Sequence, residues 1–207
     1  IMIVKNRLDE YIAEWAARTP EKVAVVSEGC ETTYAELWRA ILAKVSELKG
    51  KVTPGRAVVL RSSQNVEYLI EYFALHILDA VVCPLDKDAT DEKIAAVREE
   101  VGSLEFRPGI DADILYTTGT TGKSKGALYT HRGILCCGDG TAEALGFSQQ
   151  TVFITTGPLN HSGCWAKVFP VMMTGATLYI LEGMKDLNAF FEALNYSPQN
   201  PTKPHKT

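Results

Sequence analysis

One segment of the 207-residue chain combines the residue types that bind phosphate. Residues 116–127 read YTTGTTGKSKGA and follow a short apolar run. Glycines let a backbone approach an anion closely and point several N–H groups at it. Threonine hydroxyls add hydrogen-bond donors, and a lysine adds a mobile positive charge suited to phosphate oxygens. This combination predicts a loop that binds a triphosphate or a pyrophosphate.

A Walker A loop is one interpretation of this segment. Gly122, Lys123 and Ser124 fit the second half of the G-x-x-x-x-G-K-[ST] pattern, but the first glycine would fall at Thr117. Walker A also requires a helix directly after the lysine, whereas the GALY run that starts at Gly126 has the composition of a strand. A P-loop NTPase is therefore the disfavoured interpretation.

The second interpretation is a resemblance to the adenylate-forming (AMP-binding) superfamily. The family signature is a Tyr-Thr-Ser-Gly-Thr-Thr-Gly-like run, then Pro-Lys-Gly, a short strand and a Thr-His-Arg that begins a helix. Residues 116–132 match it nearly throughout, with Ser124 where proline is usual. By this resemblance Lys125 is the expected catalytic lysine. The residues expected to bind the ATP phosphates are Thr117, Thr118, Gly119, Thr120, Thr121, Gly122 and Lys125.

Other segments match the family in its own order along the chain. They are residues 32–37 (TTYAEL), 78–86 (LDAVVCPLD), 158–163 (PLNHSG) and 175–178 (GATL). Asp79 stands where the family usually has glycine. Each short match alone is typical of an ordinary cap or turn, so the order and spacing around the loop carry the resemblance. It covers about residues 8–194 and is closest to acyl-CoA synthetases.

The segment at residues 158–163 implies a substrate pocket. In acyl-CoA synthetases the residue that matches His161 lies near the substrate carboxylate and gates its pocket. A histidine after a proline turn is otherwise usually a surface or capping residue. We expect Asn160, His161 and Gly163 to border the acyl pocket. The histidine favours a CoA ligase over an amino-acid adenylation domain, which stays an alternative.

The resemblance implies a two-step reaction. A carboxylic acid attacks the α-phosphate of ATP, with Mg²⁺ assisting, and gives an acyl-adenylate and pyrophosphate. A thiol, coenzyme A in the CoA ligases, then takes the acyl group. The family's adenine segment, ribose-binding aspartate, hinge and adenylation lysine come later than the residues matched here. We therefore expect residues 1–195 to form a partial N-terminal domain; a non-catalytic ATP- or pyrophosphate-binding fragment is the alternative.

Strand-like and helix-like segments alternate through nearly the whole length. Helices are predicted at residues 8–17, 34–48, 65–78, 91–101, 131–145, 164–173 and 187–194, and strands at 23–26, 57–60, 80–84, 114–116, 127–129, 152–156 and 177–181. Thr33 and Glu36 are predicted to form a capping box, Thr90 and Thr130 are predicted to cap the helices that follow them, and the apolar run at residues 80–84 predicts a strand buried on both faces. Residues 102–113 are expected to cross the surface. The pattern predicts an α/β fold with a largely parallel sheet covered by helices, resembling the first part of the large N-terminal domain of acyl-CoA synthetases.

Several side chains are expected to serve structure alone. His76 lies in an apolar helix and is predicted to be a structural residue, and His131 is predicted in the first turn of its helix. Trp165 and Phe169 recur at helical spacing and are predicted to belong to the core. No protein ligands for a metal are predicted, since the chain has no CxxC pair.

Composition excludes other classes of function. A formal net charge of -4 gives no basic field for nucleic acid, and no apolar run approaches the roughly 20 residues of a membrane-spanning helix. The apolar start of the chain is too short for a signal peptide, because charged residues already follow it within the first seven positions. These features, with five cysteines interpreted as buried free thiols, predict a cytoplasmic protein.

The last residues differ from the rest. Residues 196–207 contain three prolines and almost nothing apolar, which predicts a disordered tail. Exposed strand edges in a partial domain also favour self-association. The other expected partners are a small carboxylic acid and a nucleotide.

We predict that these 207 residues alone do not complete adenylation, because the resemblance places the adenylation lysine in a part of the family that they do not match. The measurement is ATP–pyrophosphate exchange by the purified chain in the presence of a panel of carboxylic acids. Exchange that depends on the acid would contradict the prediction.

Overall fold

The computed structural model describes residues 4–117, 125–184 and 186–198, which form helices and strands in alternation. In chain order the elements are α1 (Leu8–Arg18), β1 (Val23–Ser27), β2 (Cys30–Thr33), α2 (Tyr34–Leu48), β3 (Ala57–Ser62), α3 (Val66–Ile77), β4 (Val81–Asp86), α4 (Asp91–Gly102), β5 (Asp111–Thr117), β6 (Lys125–Thr130), α5 (His131–Leu145), β7 (Val152–Thr155), α6 (Ser162–Thr174), β8 (Thr177–Ile180) and α7 (Leu187–Leu194).

The strands divide between two four-stranded sheets. The first sheet has the order β2-β1-β8-β7, and only its β1–β2 pair is antiparallel. The second sheet has the order β3-β4-β5-β6, and only its β5–β6 hairpin is antiparallel. The predicted α/β fold with largely parallel, helix-covered strands is confirmed. The division into two sheets was not predicted, because strand pairing between distant segments leaves no local signal.

Helices fill the space between the sheets. The main core joins strand residues of the first sheet, such as Val25 and Leu178, to residues of the second sheet, such as Val82 and Leu115, through α1, α2, α3, α5 and α6. Helix α4 covers the other face of the second sheet in a smaller core. Strand β4 is therefore buried on both faces, as its apolar run predicted.

Two strand assignments differ from the sequence prediction. Strand β2 was missed because its residues, CETT, are polar and lie at an exposed edge. Glu28 and Gly29 turn the chain into it with positive φ angles of 53° and 74°. The surface assignment of residues 102–113 was wrong at its end, where Asp111 and Asp113 begin β5 and are buried.

The helix caps follow the predicted residues. Thr33 and Glu36 form the predicted capping box of α2, and Thr90 and Thr130 cap α4 and α5 through their side chains. Asp79, which stands where the resemblance expects glycine, has a left-handed φ of 57° after α3.

The cysteines are all free, but they are not all buried. Cys83 is buried and Cys164 is half-buried, whereas Cys30, Cys136 and Cys137 are exposed. The prediction of buried thiols was wrong for these three. Cys30 lies on the exposed edge strand, and Cys136 and Cys137 are exposed residues of α5. Apolar neighbours in the sequence therefore did not predict whether a cysteine is buried.

A buried polar cluster joins β5 to three helices. Asp113 Oδ2 accepts a hydrogen bond from the Tyr72 hydroxyl at 2.8 Å, and Asp113 Oδ1 lies 3.0 Å from His76 Nε2. Trp165 Nε1 donates to the Tyr72 oxygen at 3.3 Å. The ring of His131 meets the ring of His76 edge to face, with centroids 4.8 Å apart. His76, His131 and Trp165 therefore have the structural positions that the sequence predicted.

The segment after α7 begins against the first sheet. The Tyr196 hydroxyl donates to Glu31 Oε1 at 2.6 Å, and its ring lies edge-on to Tyr179. Residues 199–207 lie outside the described residues. Among the described helices, none has both the length and the apolar composition needed to cross a lipid bilayer.

We expect Gly138→Ala to lower stability, because side chains of α6 pack directly against this glycine of α5. A Cβ atom at this position would lie 2.5 Å from Met173 Sδ and 3.1 Å from Phe169 Cβ. Overpacking of this kind costs about 1–3 kcal/mol. Gly140→Ala in the same helix is the matched control. Its Cβ meets nothing within 4 Å, so helix propensity should stabilise it by roughly 0.5–1 kcal/mol. Urea unfolding of both variants measures the difference, and equal effects would contradict this packing argument.

We also expect His131 to make the fold sensitive to mild acid. Burial, with smaller contributions from His76 and Arg7, lowers the pKa of His131 to about 3 from an ordinary 6.5. Between these pH values the unfolded chain binds a proton that the folded chain does not. The free energy of unfolding therefore carries the full contribution of the neutral His131 above pH 6.5. It falls by up to ~1.4 kcal/mol per pH unit as the pH drops below that value, because protons bind to the unfolded chain. Urea unfolding from pH 4.5 to 7.5 should show a steeper loss for the wild type than for His131→Gln; parallel curves would overturn this.

Candidate functional site

The carboxyl ends of parallel strands from both sheets meet at one crevice. In α/β proteins this edge of a sheet is where ligands bind. The crevice has a volume of about 300 Å³. Its lining residues follow β3, β4, β7 and β8, and they are Ser62, Gln64, Asp86, Lys87, Asp88, Thr156, Pro158, Asn160, Glu182 and Gly183.

The predicted phosphate loop begins and ends at the same edge of the second sheet. Strand β5 runs parallel to β4, so Thr117 lies at its carboxyl end. Thr117 pairs directly with Lys125 across the hairpin, and Lys125 is exposed. The predicted phosphate-binding residues between them, Thr118, Gly119, Thr120, Thr121 and Gly122, lie outside the described residues.

A glycine and a tyrosine shape the base of this loop. A Cβ atom at Gly126 would lie 2.8 Å from Ile114 Cγ2 and 3.3 Å from Tyr116 Cζ, so glycine leaves room for the side chains of Ile114 and Tyr116. Burial raises the pKa of Tyr116, and a hydrogen bond to Glu100 on α4 adds to the shift. The strand that leads into the loop is thereby attached to the helix outside the sheet.

The three predicted pocket residues lie together at the start of α6. Asn160 Nδ2 donates to Asp86 Oδ1 at 2.8 Å and faces the crevice. His161 is the N-cap of α6, and its Nδ1 accepts from the Gly163 N–H at 3.2 Å. His161 and Gly163 line a neighbouring cavity of about 310 Å³, together with Cys164 and residues of β7 and of the segment after it. Asn160 and His161 therefore face different cavities.

Gln64 connects the two sheets at the crevice and was not predicted. Its Nε2 donates to the Gly157 carbonyl at 2.6 Å and lies 3.4 Å from the Leu181 carbonyl. Its Oε1 accepts from the Leu159 N–H at 3.2 Å. One amide on the loop after β3 thus holds the backbone after β7 and β8. The only signal in the sequence was a polar residue directly after a strand.

Charged side chains also meet across the crevice. Lys87, after β4, contacts Glu182, after β8. Lys93 Nζ lies 3.7 Å from Asp86 Oδ2, the carboxylate that also accepts from Asn160. These side chains are largely exposed, and exposed pairs contribute little to stability. Their main effect is to set the charges that line the crevice.

A second cavity, here called the apolar pocket, lies between the β5–β6 hairpin and helices α5 and α6. Its volume is about 360 Å³. Its lining residues are Asp113, Leu115, Tyr129, Gly133, Ile134, Cys137, Ser162, Gly163, Trp165, Ala166 and Phe169. Asp113 is the one charged residue among them, and it is only 1% exposed. Gly163 also lines the cavity of His161, so the apolar pocket adjoins the predicted substrate segment.

The described residues do not converge on a metal. Across residues 4–117, 125–184 and 186–198, no group of three or more His, Cys, Asp or Glu side chains is arranged to hold an ion. Asp86, Asp88 and Glu182 line the crevice, and Asp86 is already engaged by Asn160.

Comparison with known proteins identifies relatives for most of the chain. The AMP-binding enzyme family matches residues 12–103 and 111–199. Gramicidin S synthase 2 of Brevibacillus brevis is 26% identical over 208 aligned positions, which cover 82% of this chain. The chain spans only 5% of that much longer protein.

Two solved structures have the same fold. The N-terminal subdomain of NpsA from Klebsiella oxytoca, in complex with 3-hydroxyanthranilyl-AMSN, has a TM-score of 0.78 at 23% identity, with 91% of this chain and 57% of that chain covered. O-Succinylbenzoate coenzyme A synthetase (MenE) from Bacillus subtilis, in complex with ATP and magnesium, has a TM-score of 0.77 at 20% identity, with 89% and 60% covered.

The family match and the two structural matches each extend over most of this chain, and they agree with one another. The family match covers both sheets and the residues that line all three cavities, and the chain spans somewhat more than half of the solved chains. The resemblance inferred from the loop at residues 116–132 and its flanking segments is therefore confirmed. The chain belongs to the AMP-binding enzyme family.

Proposed function

We propose that this chain forms the phosphate loop and part of the acyl pocket of an ATP-dependent acid–thiol ligase that works through an acyl-adenylate. One observation carries the proposal. Thr117 and Lys125, the two ends of the glycine- and threonine-rich loop, lie at the sheet edge where strands of both sheets point their carboxyl ends. Family membership supports adenylate formation as the reaction type.

In the proposed first step, a substrate carboxylate attacks the α-phosphate of ATP and pyrophosphate leaves. Backbone N–H groups and hydroxyls of the loop bind the β- and γ-phosphates, and Lys125 places its positive charge against the oxygens of the leaving pyrophosphate. This is stabilisation by charges that are already in position before the reaction begins. Thr117, at the start of the loop, contributes to the same phosphate-binding set.

Mg²⁺ fits this site as a companion of the triphosphate. The described residues lack a carboxylate cluster that would hold the ion alone. Mg²⁺ is commonly held by one or two carboxylates and by the substrate's phosphates. When bound, it neutralises charge on the triphosphate.

The apolar pocket is the proposed site for the organic part of the acid. It has the small volume and apolar lining of a small-molecule site, with few polar groups. It adjoins Gly163, and thus His161 and the start of α6. We propose that His161 meets the substrate near its carboxylate, and that Asn160 orients the same turn through its hydrogen bond to Asp86.

Coenzyme A is the proposed thiol acceptor, and amino-acid adenylation is the second candidate. The cavity that contains His161 is lined by Lys167 and by no carboxylate among the described residues, so it offers no charge partner for the ammonium of an α-amino acid. The relationship to gramicidin S synthase 2 favours the second candidate. A non-catalytic nucleotide-binding role is the third.

The proposed setting is a reducing compartment, the cytoplasm. Three cysteines are free and exposed, and such thiols persist where glutathione keeps them reduced.

We predict that Lys125→Ala weakens the binding of Mg-ATP and pyrophosphate by at least about tenfold, or ~1.4 kcal/mol, because it removes a phosphate-binding charge. Calorimetric titration of the chain measures this, after circular dichroism shows that both proteins are folded. Lys123→Ala is the matched control, since it removes the same charge from the same loop.

The two variants separate the interpretations of the loop. A loss in Lys125→Ala with near-normal binding in Lys123→Ala supports an adenylate-forming loop. A loss confined to Lys123→Ala, together with ATP hydrolysis by the wild type, would favour a Walker A loop. No binding of ATP or pyrophosphate by the folded chain would overturn the proposed function for these residues.

A further inference from the structure

One edge of the first sheet lacks the charged residues that usually keep such edges apart. We propose that strand β7 pairs with β7 of a second copy of this chain. The two strands run antiparallel across a two-fold axis and join two four-stranded sheets into one continuous sheet. This interface does not depend on the proposed ligase activity.

Strand β7 is the open end of the first sheet, whose order is β2-β1-β8-β7. The carbonyls of Thr151 and Thr155 each accept a hydrogen bond of 2.9 Å from the β8 segment, so these two residues face β8. Backbone groups alternate in direction along a strand, and so those of Val152, Ile154 and Thr156 point away from β8. In the described part of the chain, no strand pairs with this side of β7.

A groove runs along this free edge. It is the cavity of about 310 Å³ that contains His161, and the consecutive residues 153–158 form one side of it. The start of α6, with Gly163, Cys164 and Lys167, forms the other side. An open strand edge is a surface to which an extended segment can add as a further strand. Among the described residues that line the groove, Lys167 is the one with a full charge, and its ammonium donates to the Gly163 carbonyl at 2.7 Å.

The other three sheet edges carry charged residues. Edge strand β2 contains Glu31, β3 contains Arg61 and β6 contains Lys125. Charges on an edge strand oppose pairing with a copy of the same edge, because they must lose water and meet like charges. The sequence of β7, VFIT, contains neither a charge nor a proline. Of the four edges formed by the described strands, β7 is therefore the one whose composition suits pairing with its own copy.

Symmetry sets the register of the two strands. The outward residues are spaced evenly about Ile154, so a two-fold axis at this point places Ile154 opposite its own copy and Val152 opposite Thr156 of the second copy. The cross-strand contacts are then apolar or neutral. A pair of short strands buries less than the roughly 1,600 Å² of a standard stable interface, so we expect weak association, with a Kd on the order of 100 µM.

Sedimentation equilibrium from about 5 to 500 µM protein measures this association, and we expect a monomer–dimer equilibrium for the wild type. Ile154→Lys and Ile154→Glu each place two like charges opposite one another at the two-fold axis. Each variant alone should therefore associate at least about tenfold more weakly than the wild type. An equimolar mixture of the two variants places opposite charges at the axis and should recover dimerisation.

The design separates strand pairing from a folding defect. Leu128→Lys adds the same charge to an exposed residue of edge strand β6 and should leave the wild-type Kd unchanged. Recovery in the mixture requires both Ile154 variants to be folded. Hydrogen exchange of the wild type needs no substitution, since the amide protons of Val152, Ile154 and Thr156 should exchange more slowly at high protein concentration than at low concentration.

Several outcomes would contradict the proposed pairing. A wild type that stays monomeric over the whole range would overturn it, as would a dimer that persists in both Ile154 variants or a mixture of them that fails to associate. Loss of dimerisation in Leu128→Lys with retention in Ile154→Lys would assign the interface to β6 and overturn it as well. The titration of Mg-ATP tests the proposed function separately, so failure of one leaves the other intact.

Discussion

Burial of the Asp113 carboxylate constrains much of this structure. A buried carboxylate is tolerated only where donors surround it, so Tyr72 and His76 on α3 must face β5. Trp165 extends the chain of hydrogen bonds to α6, and His131 packs on His76 from α5. Three helices are thus held in register with the strand that leads into the candidate phosphate loop. The same carboxylate lines the apolar pocket, so the support of the loop and the shape of the pocket depend on one group.

The crevice depends on a second constraint, which is that two separate sheets must present their strand ends to one space. Hydrophobic packing of helices between the sheets brings them together without setting their relative position finely. Gln64 supplies that precision, since its amide binds backbone groups after β7 and after β8 from a loop of the other sheet. Asn160 adds a second contact of this kind through Asp86. Hydrogen bonds have strict distances and angles, so they fix the relative position of two sheets that hydrophobic packing has brought together.

The sequence was most informative where structure is local. The capping box at Thr33 and Glu36, the caps at Thr90 and Thr130, and the apolar run of β4 predicted elements that depend on neighbours a few residues away. It was misleading at Asp111, which lies near the end of the segment that was predicted to cross the surface. Arg107 pairs with that carboxylate and lowers its pKa, which allows the strand to begin there. A partner that makes a charge acceptable in a buried strand is evident only once the chain is folded.

The sequence by itself determined the family and its candidate phosphate loop, because residue types and spacing at residues 116–132 define the chemistry of that loop. It also determined the alternation of helices and strands, because hydrophobic periodicity and capping are short-range properties. The tertiary structure alone decided that the strands form two sheets, that Asn160 and His161 face different cavities, that Gln64 lines the crevice and that Asp113 lines the apolar pocket. The reason is that pairing, burial and hydrogen bonding between residues far apart in the chain are set by the packing of the whole domain.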